Sequence, residues 1–258
     1  MPTRRASRAT APLAGYVLHR YDWSESSLIL DVFTREQGRL AVVAKGAKRP
    51  YSQLRSVLLP FQRLTLSLGR AAATDENASE IQNLRGAEWA GGAAMLTGAA
   101  LFSGFYVNEL VMKLLARHDP HAALFDAYAA TLPELAAPAE ARVESALRAF
   151  ELTLLQQLGW LPDLSLVTLT QQAVRSDRRY ALLPESGVGP VVEFDSGVGG
   201  LALIGLQAAL DHGSLPALQH ACRRDLPALK TMLRGLIQQH LGSTPLRTRQ
   251  VMLGMSLL

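Results

Sequence analysis

The sequence predicts an α+β chain in which a small all-β region comes first and a mainly helical region, interrupted by a short irregular β insertion, follows. Three observations predict it. Up to about residue 88, short β-rich runs alternate with turn residues; beyond Trp89 the hydrophobic period switches to three and four residues; and charge is sorted along the chain. Residues 1–70 hold 12 Lys+Arg against 4 Asp+Glu, a balance of +8; residues 71–211 hold 8 against 17, or −9; residues 212–258 hold 6 against 1, or +5. Two positive lobes around an acidic middle suit a chain whose ends meet a polyanion. With 48% hydrophobic residues, the 258-residue chain has material for one or two ordinary cores, which excludes a disordered chain.

Residues 1–12 carry Arg4, Arg5 and Arg8 with no acid and read as a disordered basic arm. Residues 13–88 read as one domain. Strands are predicted at 15–21, 27–34, 39–45 and 62–68, and a fifth near 78–84. In the second, Leu28, Leu30 and Val32 share one face and Ile29, Asp31 and Phe33 the other, and Arg35 to Gly38 form a four-residue hairpin loop. Five short strands are too few for a sandwich. A closed barrel of the OB type removes their exposed edges.

Residues 89–258 read as the helical domain. Leu96, Ala99, Ala100, Gly104, Val107, Leu110, Val111 and Leu114 place one long core helix; four glycines between Trp89 and Val107 argue against a membrane span. Asp119 is the expected N-cap and Pro120 the first residue of the next helix. A third helix is predicted over 139–158, with Gly159 as its C-cap. The insertion lies near 163–199, with β-like runs at 179–183 and 191–194 and a Gly/Pro-rich connection at 185–190. Final helices at 200–211 and 216–241 leave 246–252 as a terminal basic segment.

The residues richest in chemistry are Lys45, Lys48, Arg49, Tyr51 and Arg55, four cations and one aromatic in a stretch of eleven residues without an acid. Lysine and arginine release counterions from a phosphate backbone, and Tyr51 offers a stacking face. Alone, the run also fits a solvated loop. Arg35, Arg39, Arg63 and Arg70 in the same domain tip the reading toward DNA. A second basic set, Arg223, Arg224, Lys230 and Arg234 with Arg247 and Arg249 beyond, has helical spacing and equally fits a solvated helix face.

Other patterns lack their context. Gly197-Val198-Gly199-Gly200-Leu201-Ala202 matches a dinucleotide fingerprint, but helical, basic sequence follows where a second strand ending in an acid is needed, so Ser196 reads as an N-cap. His118 and His121 lack further ligands, and the single Cys222 supports neither a disulfide nor a multi-cysteine zinc site and fits a reducing compartment. No enzyme motif, metal or cofactor is expected. Two rivals stay open: a helical protein-interaction module whose barrel binds RNA or peptide, and an enzyme using the turn at Gly197.

Several stretches resemble the RecO family of bacterial recombination mediators. They are Trp23-Ser24-Glu25-Ser26-Ser27-Leu28-Ile29-Leu30-Asp31-Val32-Phe33-Thr34, Val43-Ala44-Lys45-Gly46-Ala47, Leu59-Pro60-Phe61, Phe105-Tyr106-Val107-Asn108-Glu109-Leu110, Leu147-Arg148-Ala149-Phe150-Glu151-Leu152 with Leu158-Gly159-Trp160, and Pro245-Leu246-Arg247-Thr248-Arg249. They run in order over nearly the whole chain. The resemblance implies a non-enzymatic protein of the bacterial cytoplasm and nucleoid, with an N-terminal OB fold and a helical second domain. It implies binding of single- and double-stranded DNA, annealing of complementary strands, binding of the acidic tail of single-stranded-DNA-binding protein (SSB), and work with RecR to help RecA replace SSB in the RecFOR pathway. It assigns phosphate contact to Lys45, Lys48 and Arg49. To Arg148 it assigns the SSB tail, whose carboxylates and terminal Phe need a cation beside an apolar pocket; Phe150, Leu152 and Leu155 are the candidate walls and fit a plain helix core as well. Two departures stand out. Some RecO proteins carry a four-cysteine zinc site in the insertion, where this chain has no cysteine, and Tyr51 stands where the family tends to carry another cation.

Overall fold

The computed structural model describes residues 11–69, 81–92, 95–183, 185–191 and 197–255. The predicted arm at 1–12 lies almost wholly outside them, as do Arg70 and Ser196. Two compact units divide the chain: one runs to Met95 and adds Leu115–Phe125, and the other holds Leu96–Leu114 and Asp126–Leu258. The sequence boundary near residue 88 missed the return of the 115–125 segment to the first unit.

Five strands build the first unit: β1 (Leu13–Asp22), β2 (Leu28–Thr34), β3 (Gly38–Ala44), β4 (Leu64–Gly69) and β5 (Ile81–Trp89), with a short helix α1 (Leu54–Val57) between β3 and β4. They close into a barrel in the order β1-β2-β3-β5-β4, with β3 parallel to β5 and every other pair antiparallel. This is the OB barrel expected from the strand count. Val17, Leu30, Val32, Leu40, Val42, Leu64 and Leu66 fill it and touch no solvent. Such aliphatic burial is the main force holding so small a barrel closed.

The outer face of β2 is also covered, because 115–125 lies against it. Phe33 and Tyr16 each meet Phe125 at a ring separation of 5.4 Å. Asp31, nearly inaccessible, pairs with Arg39 at 3.1 Å and with Arg117 at 3.7 Å. Gly38 has φ +69° and sits so near Asp119 that a Cβ would fall 2.0 Å from its carbonyl oxygen, so only glycine allows this approach.

The second unit is built on α2 (Gly98–Leu114), α3 (Ala122–Leu135, whose first turn through Phe125 counts with the first unit), α4 (Glu140–Gln157), α5 (Gly200–Asp211), α6 (Leu215–Cys222), α7 (Leu226–Leu241) and α8 (Arg247–Met255). Its insertion holds a hairpin of β6 (Leu166–Val167) and β7 (Gln172–Ala173), and a sheet of β8 (Arg179–Leu183), β9 (Gly187–Pro190) and β10 (Val198–Gly199).

Several expectations are corrected. Helix α3 starts at Ala122, and Asp119 is not its cap; the Asp119 carboxylate meets His121 Nε2 at 3.1 Å. The predicted helix 216–241 is two helices, because Pro227 has no N–H for an intrahelical bond and its ring collides with the preceding turn. Residues 187–190, read as a connection, form β9 against β8. The cap position of α5 is Gly199, not Ser196. The terminal segment is helical: the Glu109 carboxylate accepts hydrogen bonds from the backbone N–H groups of Arg247 and Thr248, both at 2.9 Å, so α8 takes its N-terminal cap from α2.

Candidate nucleic-acid interface

The β1–β2 ladder ends at Asp22↔Leu28 and the β2–β3 ladder at Leu28↔Ala44, so one end of the barrel gathers two loops, 23–27 and 45–53. Beyond Ala44 the chain descends through successive turns: Ala47 N–H donates to the Ala44 carbonyl, Arg49 to Gly46, Ser52 to Arg49 and Arg55 to Ser52. Gly46, at φ +72°, permits the first of them. The two loops brace each other, since Lys48 N–H donates to the Ser26 carbonyl at 3.0 Å and Lys48 Nζ to the Ser24 carbonyl at 3.1 Å.

This bracing turns Lys45, Arg49 and Arg55 outward, with Tyr51 99% and Trp23 65% exposed. Solvation of Tyr51 buries no apolar area, so the ring has no part in the core and is free to stack on a ligand. Lys48 is half-buried and pairs with Asp22 at 3.0 Å. Arg20, which the sequence reading missed, extends from β1 and donates to the Leu58 carbonyl at 3.4 Å. Between β1 and the loop lies a cleft of about 410 Å³, rimmed by Arg20, Lys48, Arg55 and Asp22 and floored by leucines and Ala47. The signal for Arg20 was only partly local: Arg20 and Asp22, two positions apart, share a face of β1 and Asp22 adjoins the loop, but the irregularity between Val17 and His19 shifts which face that is.

Within the first unit, Arg35, Arg39 and Arg63 do not join this end. Arg35 occupies the hairpin at the far end of the β2–β3 ladder, six residue pairs or roughly 20 Å along the strands. Arg39 is corrected: its guanidinium is held inward by Asp31 and by the Leu115 carbonyl at 2.8 Å, so it braces the unit rather than facing a ligand. Burial pushes the Asp31 carboxyl up, and the charges of Arg39, Arg117 and His19 only partly offset it. Arg63 is exposed, one residue before the Leu64↔Gly15 pair, away from the basic loop. Arg70 lies outside the described residues.

In the second unit, the break at 223–225 separates Arg223 and Arg224 from Lys230 and Arg234 on α7, so the expected single basic face does not form. Lys230 Nζ is bound to Glu144 at 2.6 Å. Arg247 lies at the start of α8 with Arg249 in its first turn.

The predicted tail pocket is also corrected. Phe150, Leu152 and Leu155 are wholly inaccessible, so they are core and offer no face to a peptide. Arg148 is buried beside them, 2.7 Å from the Glu151 carboxylate, which also accepts the Tyr106 hydroxyl at 2.6 Å. Burial pushes Glu151 up, with Arg148 and Tyr106 pulling the other way. The buried Cys222 thiol is pushed up to about 12, first by burial and then by Glu151, and stays protonated. Among the described residues no helix is long and apolar enough to cross a membrane.

The fold and the basic loop define a class: an OB-barrel protein carrying a helical second unit with a small β insertion. Comparison with known proteins narrows it. Residues 11–91 match the family model "Recombination protein O N terminal" and residues 95–250 match "Recombination protein O C terminal". The chain is 49% identical over 255 residues to "DNA repair protein RecO" of Verminephrobacter eiseniae, covering 98% of this chain and 99% of that protein. It is 50% identical over 246 residues to the protein of that name from Variovorax paradoxus, covering 92% and 93%. The chain belongs to the RecO family of bacterial DNA repair proteins.

Proposed function

We propose that this chain is a recombination mediator that binds single- and double-stranded DNA, anneals complementary strands and, with RecR, helps RecA onto DNA coated by SSB, performing no chemical step itself. One observation carries the reading: Arg20, Lys45, Lys48, Arg49 and Arg55 gather with Trp23 and Tyr51 at one end of an OB barrel. Two strands repel each other through their phosphates. A basic surface that contacts both lowers that barrier without reading sequence, and binding then weakens steeply as salt rises. Partnership with the SSB tail, RecR and RecA, and residence in the cytoplasm at the nucleoid, come from the family.

The test is annealing of SSB-coated complementary oligonucleotides by the wild-type protein and by Lys45→Glu with Arg49→Glu. The double reversal is expected to slow annealing at least ~10-fold and to flatten the dependence of affinity on salt. Wild-type rates in the variant would remove the loop from the mechanism. An unstructured RNA or a peptide outcompeting DNA would favour a different ligand class.

A further inference from the structure

A phosphate grip needs only cations, yet the cleft beside the basic loop has an apolar floor. Leu28, Ala47, Leu54 and Leu58 form it; Leu58 and Ala47 are almost inaccessible, and Leu28 and Leu54 pack against the barrel core. Arg20 and Arg55 stand on its rim, and Lys48 closes part of it through Asp22 and the Ser24 carbonyl. A cavity of about 410 Å³ lies in the lower part of the roughly 300–1,000 Å³ range of small-molecule pockets, room for one nucleotide but not for a stacked pair.

We infer that this cleft seats one unstacked nucleotide of a single strand, its base against the leucines and its phosphate between Arg20 and Arg55. The inference rests on the DNA-binding reading above and deepens it. Charge selects the occupant. Three cations against one acid favour a phosphate, and a flat base fits an apolar floor that carries no hydrogen-bonding side chain to read its edge, so the seat accepts any base. Paired bases are stacked within the duplex and cannot enter, so the cleft distinguishes single from double strands although the loop cations do not. Asp22 opposes the phosphate and holds Lys48 back. Exposed ion pairs of this kind are weak, so an incoming phosphate displaces Asp22 readily.

The experiment compares binding of the full-length protein to an intact oligothymidylate and to an abasic oligomer of equal length, at several salt concentrations. The intact strand should bind on the order of tenfold more tightly, the scale of a base covered by a protein surface. Leu54→Gln should bring that ratio close to one and leave duplex affinity unchanged, which also verifies that the variant folds, while its melting temperature falls by the few degrees that a half-buried leucine contributes. Asp22→Asn should tighten single-strand binding roughly two- to fivefold, the scale of one exposed ion pair. Trp23→Ala with Tyr51→Ala should keep most of the ratio.

Equal affinity for intact and abasic strands, with steep salt dependence retained, overturns the seat and leaves the phosphate grip standing. Absence of DNA binding overturns both. A ratio lost in the Trp23/Tyr51 variant but kept in Leu54→Gln puts the bases on the exposed rings instead of the cleft. A short acidic peptide that binds with Arg20 and Arg55 protected, while the two strands bind alike, assigns the cleft to a protein partner and sinks the proposal.

Discussion

The loop after β3 and the middle of α4 both put arginine beside leucine, and in the folded protein they are opposites. Arg49 on the braced loop and Arg55 on α1 stand in water, whereas Arg148 is buried on the same helix as the inaccessible Phe150, Leu152 and Leu155, with Glu151 as its counter-ion. Solvation separates the two roles. An exposed guanidinium loses little hydration before it meets a phosphate, while a buried one has already exchanged water for a carboxylate and depends on it. Cations beside apolar residues are therefore no guide to a binding site until burial is known.

The sharpest way to break this comparison is to remove the counter-ion. Glu151→Ala strands Arg148 as a buried, unpaired charge, and a loss of about 3–5 kcal/mol is expected in urea unfolding. Arg148→Met with Glu151→Leu, combined with Tyr106→Phe so that no buried hydroxyl loses its acceptor, should return close to wild-type stability, since Arg148 Nε and Glu151 Oε2 have no hydrogen-bond partner among the described residues. Lys45→Ala with Arg49→Ala should change stability by less than ~0.5 kcal/mol. A cost below ~1 kcal/mol for Glu151→Ala would mean that Arg148 reaches water when its partner goes, and the two regions would then differ in degree only.

Glu109 tests the same principle at a helix end. Its buried carboxylate serves the backbone of Arg247 and Thr248 and the Thr248 hydroxyl, and it pairs with Lys113 at 3.4 Å. Burial pushes this carboxyl up, but the hydrogen bonds from Thr248 and Arg247, with the Lys113 charge, together outweigh it and hold the group below its usual range. A carboxyl lowered by folding contributes stability above its unfolded pKa, near 4.3, and that contribution is lost as pH falls through the lower folded value. Glu109→Ala should cost about 1–2 kcal/mol, read as faster amide exchange in α8. Protection in α8 should fade at acidic pH in the wild type, while the variant, already unprotected, shows no such transition.

What the sequence made legible follows the same division. The barrel strands were readable because period-2 patterning and turn residues act locally, and α5 and α4 because helical period and terminal glycines do as well. The α6–α7 break hung on one residue, Pro227, inside an otherwise regular pattern. Helix α8 escaped because its cap comes from Glu109, about 138 positions away, where no local signal exists. The basic loop was visible as composition. Its cleft was not, since Arg20 and Arg55 meet only once β1 and α1 are folded, and Arg39 was indistinguishable from a surface cation until Asp31 was seen buried beside it.

His240 sets the smallest and finest test, because it lies between the two extremes. Its ring stacks on Trp160 at 3.9 Å with the planes 9° apart, one face covered and the edge near water. Covering by the indole removes hydration, which favours the neutral imidazole, while the indole π-face attracts the protonated one. Burial wins, and the ring titrates below its ordinary value. The sign follows: a histidine lowered by folding stabilises the fold above its unfolded pKa, near 6.5, and the contribution is lost as pH falls through the folded value. Protonated imidazole quenches indole emission, so the difference in tryptophan fluorescence between the wild type and His240→Gln should titrate with a midpoint below ~6.5, the emission of Trp23 and Trp89 cancelling. A midpoint above that value would mean that the cation–π attraction exceeds the desolvation cost. Partial cover would then favour charge, and the boundary between the exposed and the buried regime would lie deeper in the protein than Trp160.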